Sequence, residues 1–316
     1  MSEPVPVAEV VRSGFIESVH HGSVVVLASD GSVQLAVGDV GSPIFPRSSN
    51  KPVQAVAMVR AGLALDGELL ALGSASHSGE PFHLDGVRRI LESAGLDLDA
   101  LQNTPDLPLD EVARSTWLAA ARPRSSLAQN CSGKHAAMLA TCVAAGWDVA
   151  TYRDPEHPLQ QLMNATLAEL AGEPVAATGV DGCGAPVMAV SLTGLARAFA
   201  AIATAGADSA EGRVAAAISA NPAWLGGTGR DVTAFIEGIP GLVAKDGAEA
   251  VYAAALPDGR AVALKIADGG GRAAPVVMAS ALRSSGVEAS VLDRLATSVV
   301  LGHGEPVGLV RALPLA

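Results

Sequence analysis

Two stretches of this chain carry the apolar pattern of β-hairpins. In SVVVLASDGSVQLAVGD, residues 23–39, runs rich in β-branched residues flank Asp30-Gly31, which predicts two antiparallel strands joined by a tight turn. In VYAAALPDGRAVALKI, residues 251–266, the same logic recurs around Pro257-Asp258-Gly259 and places Lys265 late in the second strand. Between these hairpins the pattern is helical. An alanine-rich apolar helix runs from Pro52 to Arg60 and is stopped by Gly62; another covers Lys134 to Ala145 and is stopped by Gly146. Further helical runs are expected over 84–94, 158–170, 186–203 and 209–219, with two more after Ala273. Strands toward both chain ends, with helices between, predict an α+β fold in which an antiparallel sheet built from the two ends packs against a helical region. No repeat, low-complexity tract or long linker divides the chain, so residues 1–316 are read as one domain. The βαβ rhythm is missing, as are Gly-x-Gly-x-x-Gly and Gly-x-x-x-x-Gly-Lys-[Ser/Thr], which disfavours nucleotide chemistry.

Composition narrows the partners. Hydrophobic residues make up 49% and charged residues 17%, against roughly 25% charged in an average soluble domain. The net charge of −11 speaks against nucleic acid and anionic membranes and suits a small polar or zwitterionic substrate. No uninterrupted apolar run reaches the ~18 residues of a membrane span, and the opening MSEPVPVAEVVRSG lacks a basic start followed by an apolar stretch. Three scattered cysteines argue for a reducing compartment, so a cytoplasmic location is expected.

Three segments bring candidate chemistry. In PRSSNKPVQ, residues 46–54, Ser48 stands three residues before Lys51, with Pro52 suited to the first helical turn. Residues so spaced share a helix face, so the amine is within reach of the hydroxyl. A serine needs a base, and a lysine beside a helix N-terminus and other cations, such as Arg47, loses its proton more easily. Read alone, the spacing fits a helix cap with a solvated lysine better than it fits chemistry. GSASHSGEPF, residues 73–82, offers Ser76 and His77 among small residues; Lys265 is followed by Asp268-Gly269-Gly270-Gly271, suited to an oxyanion or carboxylate. This arrangement resembles the Ser-x-x-Lys acyl transferases. It departs from penicillin-binding proteins and β-lactamases in lacking Ser-Asp-Asn and in having Lys265-Ile266-Ala267 for Lys-Thr-Gly.

NCSGKHAAM, residues 130–138, and DGCGAPV, residues 181–187, place Cys131 and Cys183 in tight turns before helical runs, whereas Cys142 sits among alanines as a small core residue. Two thiolates suit Zn2+, with His135 the conventional third ligand and Lys134 an unusual one that must be neutral to coordinate.

Together PRSSNKPVQA, SASHSGE, NCSGKHAAM, DGCGAPV and GGTGRD (226–231) resemble, in order, the Rhizobium-type L-asparaginases of the asparaginase II family, from about residue 10 to 312. The resemblance implies a fold related to serine β-lactamases and glutaminases, a homodimer, and hydrolysis of L-asparagine to L-aspartate and ammonia. It also implies two serine–lysine tandems, Ser48 with Lys51 and Ser76 with Lys265, although Ser74 and Ser78 stand close to Ser76. A zinc site would fall on Cys131, Lys134 and Cys183, and Arg47, His135 and Asp181 would surround the substrate. Two other readings stand beside it: an amidase using Thr228, and a non-enzymatic binding protein for a metal or amino acid. Asparagine and glutamine differ by one methylene, worth ~1–3 kcal/mol in a pocket, which the sequence does not resolve.

Overall fold

A computed structural model describes residues 3–315. The strands are β1 (Val5–Arg12), β2 (Phe15–Leu27), β3 (Val33–Val37), β4 (Pro43–Ile44), β5 (Ala177–Val180), β6 (Pro186–Ser191), β7 (Val243–Gly247), β8 (Val251–Ala255), β9 (Ala261–Ile266), β10 (Thr297–Gly302) and β11 (Glu305–Ala312). The helices are α1 (Lys51–Arg60), α2 (Gly67–Gly73), α3 (Pro81–Ser93), α4 (Glu111–Ala119), α5 (Ser132–Ala145), α6 (Pro158–Ala171), α7 (Leu192–Thr204), α8 (Ala210–Ala220), α9 (Pro222–Leu225), α10 (Asp231–Gly238), α11 (Ala274–Ser284) and α12 (Ser290–Leu295).

The main sheet has the order β10-β11-β1-β2-β9-β8-β7, with β3 also paired to β2, and its pairings are antiparallel. Both chain ends therefore build one sheet, and the helical segment between them packs beside it, which is the α+β arrangement expected. Alternate residues of a strand point to opposite faces, yet Val24, Val25, Val26 and Leu27 are all fully buried. Both faces of β2 are thus covered here, and α7 and α11 are among the helices packed on β2 and β9. The two expected hairpins are present. Asp30 accepts from the Ser32 amide at 2.9 Å while Gly31 turns the chain at φ +79°, and Gly259 does so at φ +93°.

The run expected as a helix over 186–203 is two elements. Pro186–Ser191 is strand β6, the middle of a small antiparallel sheet ordered β4-β6-β5, and every residue of it is buried. A strand buried throughout shows a continuous apolar run instead of alternation, so periodicity cannot separate it from the buried helix that follows. The break is made by Ser191, whose hydroxyl caps α7 by accepting from the Gly194 amide at 2.9 Å. Gly146 ends α5 in the left-handed conformation at φ +69°, as its position implied. Among the described residues no helix is long and apolar enough to cross a membrane.

Candidate active site

A short 3-10 turn, Arg47–Asn50, leads into α1. Within it the two serines have different work. Ser49 closes the turn, its amide and hydroxyl both donating to the Pro46 carbonyl at 3.1 and 2.6 Å. Ser48 is left half-buried at the positive end of α1. Arg47, just before it, holds a left-handed backbone at φ +52°, a strained conformation that persists only where surrounding contacts enforce it.

The edge strand β7 lies directly against this turn. A Cβ on Gly247 would stand 2.7 Å from Ser49 Oγ and 2.8 Å from the Pro46 carbonyl, so only glycine permits the approach. That contact brings Lys245 and Asp246 to the Ser48–Lys51 segment.

Lys51 is fully buried, and its Nζ donates to three acceptors: the Ala75 carbonyl at 2.5 Å, Ser76 Oγ at 3.0 Å and Cys131 Sγ at 3.1 Å. The serine expected beside this amine is Ser48, yet Lys51 makes no hydrogen bond to it and bonds instead to Ser76, which the resemblance pairs with Lys265. The strand-like segment around Ser76 is pinned by Ser76 N to the Leu225 carbonyl at 3.1 Å and His77 N to the Asn130 carbonyl at 3.0 Å. The neighbouring hydroxyls are spent on backbone, Ser74 on Leu70 O and Ser78 on Gly226 O. Only Ser76 of the three serves the lysine.

Lys265 is not brought to Ser76. On β9 it stands in register with Ser23 and Val251, two strands in from the edge, and its Nζ donates to the Glu249 and Ile266 carbonyls at 2.9 and 3.2 Å. It lines a cavity of about 490 Å3 with Ser23, Asp39 and Ser42. The lysine beside Lys51 is Lys245, fully buried, with Nζ on Asp246 O at 2.7 Å and on Asp246 Oδ1, while Arg230 Nη2 holds Asp246 Oδ2 at 2.7 Å. Burial, with the nearby Lys51 and Arg230 charges, pushes the Lys245 amine down to about 8 although Asp246 opposes the shift. A signal for it was available. The chain has only four lysines, and three of them, Lys51, Lys134 and Lys245, are fully buried. Lysine is almost never buried without a partner or a task, so a chain that leaves its surface cations to arginine marks its lysines.

The thiols of Cys131 and Cys183 meet, and Lys134 Nζ lies 3.4 Å from Cys183 Sγ. The hydrogen bond from Cys183, with the Lys51 and Lys134 charges, pulls Cys131 well below the ordinary thiol range, whereas that same bond and burial raise Cys183. Of the two thiols, Cys131 is thus the more readily ionised. Burial lowers the Lys134 amine, but the two sulfurs and Asp181 more than reverse this. Among the described residues no three of His, Cys, Asp and Glu gather as a metal site. The donors present are two converging sulfurs and one amine, a set that fits Zn2+ once Lys134 gives up its proton. His135 does not turn toward them through Nδ1, which bonds Tyr152 Oη at 2.7 Å; its Nε2 is buried without a partner.

Arg47 and Asp181 pair across the opening, Nε to Oδ1 at 2.8 Å, with Gly182 N donating to the same oxygen at 2.8 Å. His135 is wholly buried behind Lys134. Thr228 is tied to Glu80, whose two oxygens accept from its amide and hydroxyl, each at 2.8 Å. No lysine is hydrogen-bonded to it among the described residues.

The model of the L-asparaginase II family matches residues 8–312. No curated protein matches the chain. Among solved structures, Mglu is 14% identical with TM-score 0.44, covering 87% of this chain and 67% of its own. A β-lactamase from Mycobacterium bovis is 14% identical with TM-score 0.46, covering 84% of this chain and 95% of its own. EstCE1, described as a hydrolase with promiscuous acyltransferase activity, is 15% identical with TM-score 0.43, covering 84% and 93%. The chain thus spans about two thirds of Mglu and nearly all of the other two. With the family match reaching almost from end to end, the chain belongs to the L-asparaginase II family, a family of amidohydrolases.

Proposed function

We propose that the chain hydrolyses L-asparagine to L-aspartate and ammonia by serine–lysine acyl transfer. The observation that carries this reading is a pair of buried lysines on the elements that flank half-buried Ser48: Lys51, three residues on and bonded to Ser76, and Lys245, its amine near pH 8, on the strand packed against the Ser48 turn.

In the proposed cycle Ser48 Oγ attacks the side-chain amide carbon, and its proton passes to the neutral amine of Lys245. The carbonyl electrons move to oxygen at the positive end of α1, near the Lys51 ammonium. As the C–N bond breaks, the leaving NH2 takes a proton from Ser76 Oγ, which is refilled from Lys51, and ammonia departs. Water then adds to the ester and yields its proton through Ser76 to the now neutral Lys51. Ser48 leaves with the proton stored on Lys245, and both lysines are back where they began. Arg47 and Asp181 are proposed to hold the α-carboxylate and α-amino groups; Arg47 Nη1 and Nη2 and Asp181 Oδ2 make no hydrogen bonds among the described residues, so each can take a substrate group without the pair being dissolved. His135, through Tyr152, fixes the wall on which Lys134 stands. Cys131, Cys183 and Lys134 would hold Zn2+, which when bound supplies a fixed positive charge to that wall. The homodimer and the cytoplasmic location belong to the same proposal.

Steady-state release of ammonia by purified protein, with L-asparagine and L-glutamine in parallel, tests the reading. Turnover of asparagine at a higher kcat/KM than glutamine supports it. Folded, zinc-supplied protein that releases ammonia from neither overturns it and brings forward a non-enzymatic binding role.

A further inference from the structure

Lys245 would be an ordinary buried ammonium were it not for the two residues beyond it. Its Nζ is satisfied by its own strand neighbour, through the Asp246 carbonyl and Oδ1, while the second carboxylate oxygen is taken by Arg230 from the loop before α10. One carboxylate thus faces two cations. The guanidinium is not placed to satisfy itself: Nη1 is buried with no partner, an uncommon state for so strong a donor. A merely structural arginine would be expected to spend that nitrogen on a carbonyl. What the position retains at this cost is a positive charge fixed on Asp246.

We propose that Arg230 is a positioning residue which, by sharing Asp246 with Lys245, sets how tightly Lys245 holds its proton and so fixes the pH at which the reaction turns on. The inference rests on the acyl-transfer reading only in giving Lys245 a role in turnover. The other charged or titratable groups on the elements packed here are Lys51 on α1, which acts on the amine, Arg47 in the turn against β7, and, beside Asp246, Asp231 at the start of α10 and Tyr252 on β8. None of these is bonded to Lys245 Nζ or bridges it to a second cation. Arg230 weakens Lys245's hold in two ways, by drawing the carboxylate toward itself and by direct repulsion. Both lower the proton affinity of the amine, and Asp246 alone opposes them. Removing Arg230 and removing Asp246 must therefore act in opposite directions.

The experiment is the pH profile of kcat/KM for L-asparagine in wild type, R230Q, R230K and D246N, with melting curves for each. Removing one charge beside a buried amine shifts it by about one unit or more. R230Q is expected to move the acid limb upward by about that much, leaving about a tenth of the wild-type rate at pH 7 and regaining it at alkaline pH. D246N is expected to move the limb downward. R230K keeps the charge and is expected to leave the midpoint in place. Limbs of R230Q and D246N that stay together, or shift the same way, overturn the proposal. So does R230K moving as far as R230Q. Where a variant does not fold, the remaining two decide. An NMR titration of 13Cε-labelled Lys245 reads the amine whether or not the enzyme turns over: the same opposed shifts in an inactive protein would uphold Arg230's action while refuting the asparaginase reading.

Discussion

The dependence of activity on Lys245 can be worked out numerically. An amine with its midpoint near 8 is neutral in about 1% of molecules at pH 6, about 10% at pH 7, half at pH 8 and about 90% at pH 9. At the ordinary lysine value of 10.5 the neutral fraction at pH 7 is about 0.03%, so the site raises the free base about three hundredfold. If Lys245 takes the Ser48 proton, kcat/KM for L-asparagine rises about tenfold from pH 6 to pH 7 and levels off above pH 9. Lys245→Arg keeps the charge but cannot release it, and the expected loss is about 10²–10⁴ in kcat/KM at every pH in that range. Stability does not mimic this profile by collapse at low pH. A lysine lowered in the folded state imposes a cost that is fully present below pH 8 and is relieved as pH rises from 8 to 10.5, where the unfolded chain binds more protons. Asp246, lowered to about 2 by Lys245 and Arg230 against its burial, contributes stability above 3.8 that is lost as pH falls toward 2. Both terms are nearly level between pH 6 and 7, where the rate is expected to rise about tenfold. Stopped-flow ammonia detection across pH 6–10, with melting curves at each point, reads rate and stability separately. A flat wild-type profile between pH 6 and 9, or Lys245→Arg retaining near-full activity, would refute the assignment of Lys245 as base.

Three further outcomes follow from the same geometry. Gly247→Ala puts a methyl into Ser49 and the Pro46 carbonyl, so the turn bearing Ser48 must shift; activity falls at least about tenfold while the melting temperature drops by only a few degrees, readable by parallel kinetics and calorimetry. Thr228→Val removes one hydrogen bond to Glu80 and no reacting group, so turnover stays within about threefold and stability falls by about 1 kcal/mol; abolished turnover in a folded protein would restore the threonine reading. Cys183→Ser weakens the thiol pair and is expected to lower bound zinc, measured by elemental analysis after equilibration with the metal, by about tenfold or more relative to wild type, with Cys142→Ser unchanged because Cys142 is buried on α5 and is not part of the Cys131–Cys183 pair.

What the sequence disclosed depended on whether local chemistry or long-range register set the answer. The hairpins around Asp30-Gly31 and Pro257-Asp258-Gly259, and the helix stop at Gly146, are local: turn residues and apolar runs contain them. The α+β arrangement followed from where the strands fell. β6 did not, because a strand buried on both faces has lost the alternation that identifies it. Ser48, Lys51, Cys131, Lys134 and Cys183 were visible because each stands in a short polar motif that opens a helix or a turn. Ser76 was visible, but its choice over Ser74 and Ser78 needed the hydrogen bonds that occupy the other two. Lys265 is expected with Ser76, whereas the structure packs Lys245 near Lys51, and the difference is topological. Both Lys245 and Lys265 sit on strands near glycine, and only the sheet order β9-β8-β7 tells which strand is the edge against the helix. Lys245-Asp246-Gly247 carries a lysine and glycine at the spacing sought around Lys265, with the glycine required by the close approach of the turn.

The claim on which the account turns is that Ser48 is acylated. Rapid quench of the enzyme with L-asparagine, followed by peptide mass spectrometry, addresses it directly, with Ser48→Ala and Ser76→Ala alongside. The expected result is an aspartyl ester on the peptide bearing Ser48, absent from Ser48→Ala, which also releases no ammonia. An ester found instead on the peptide bearing Ser76, or full ammonia release by Ser48→Ala, would contradict it.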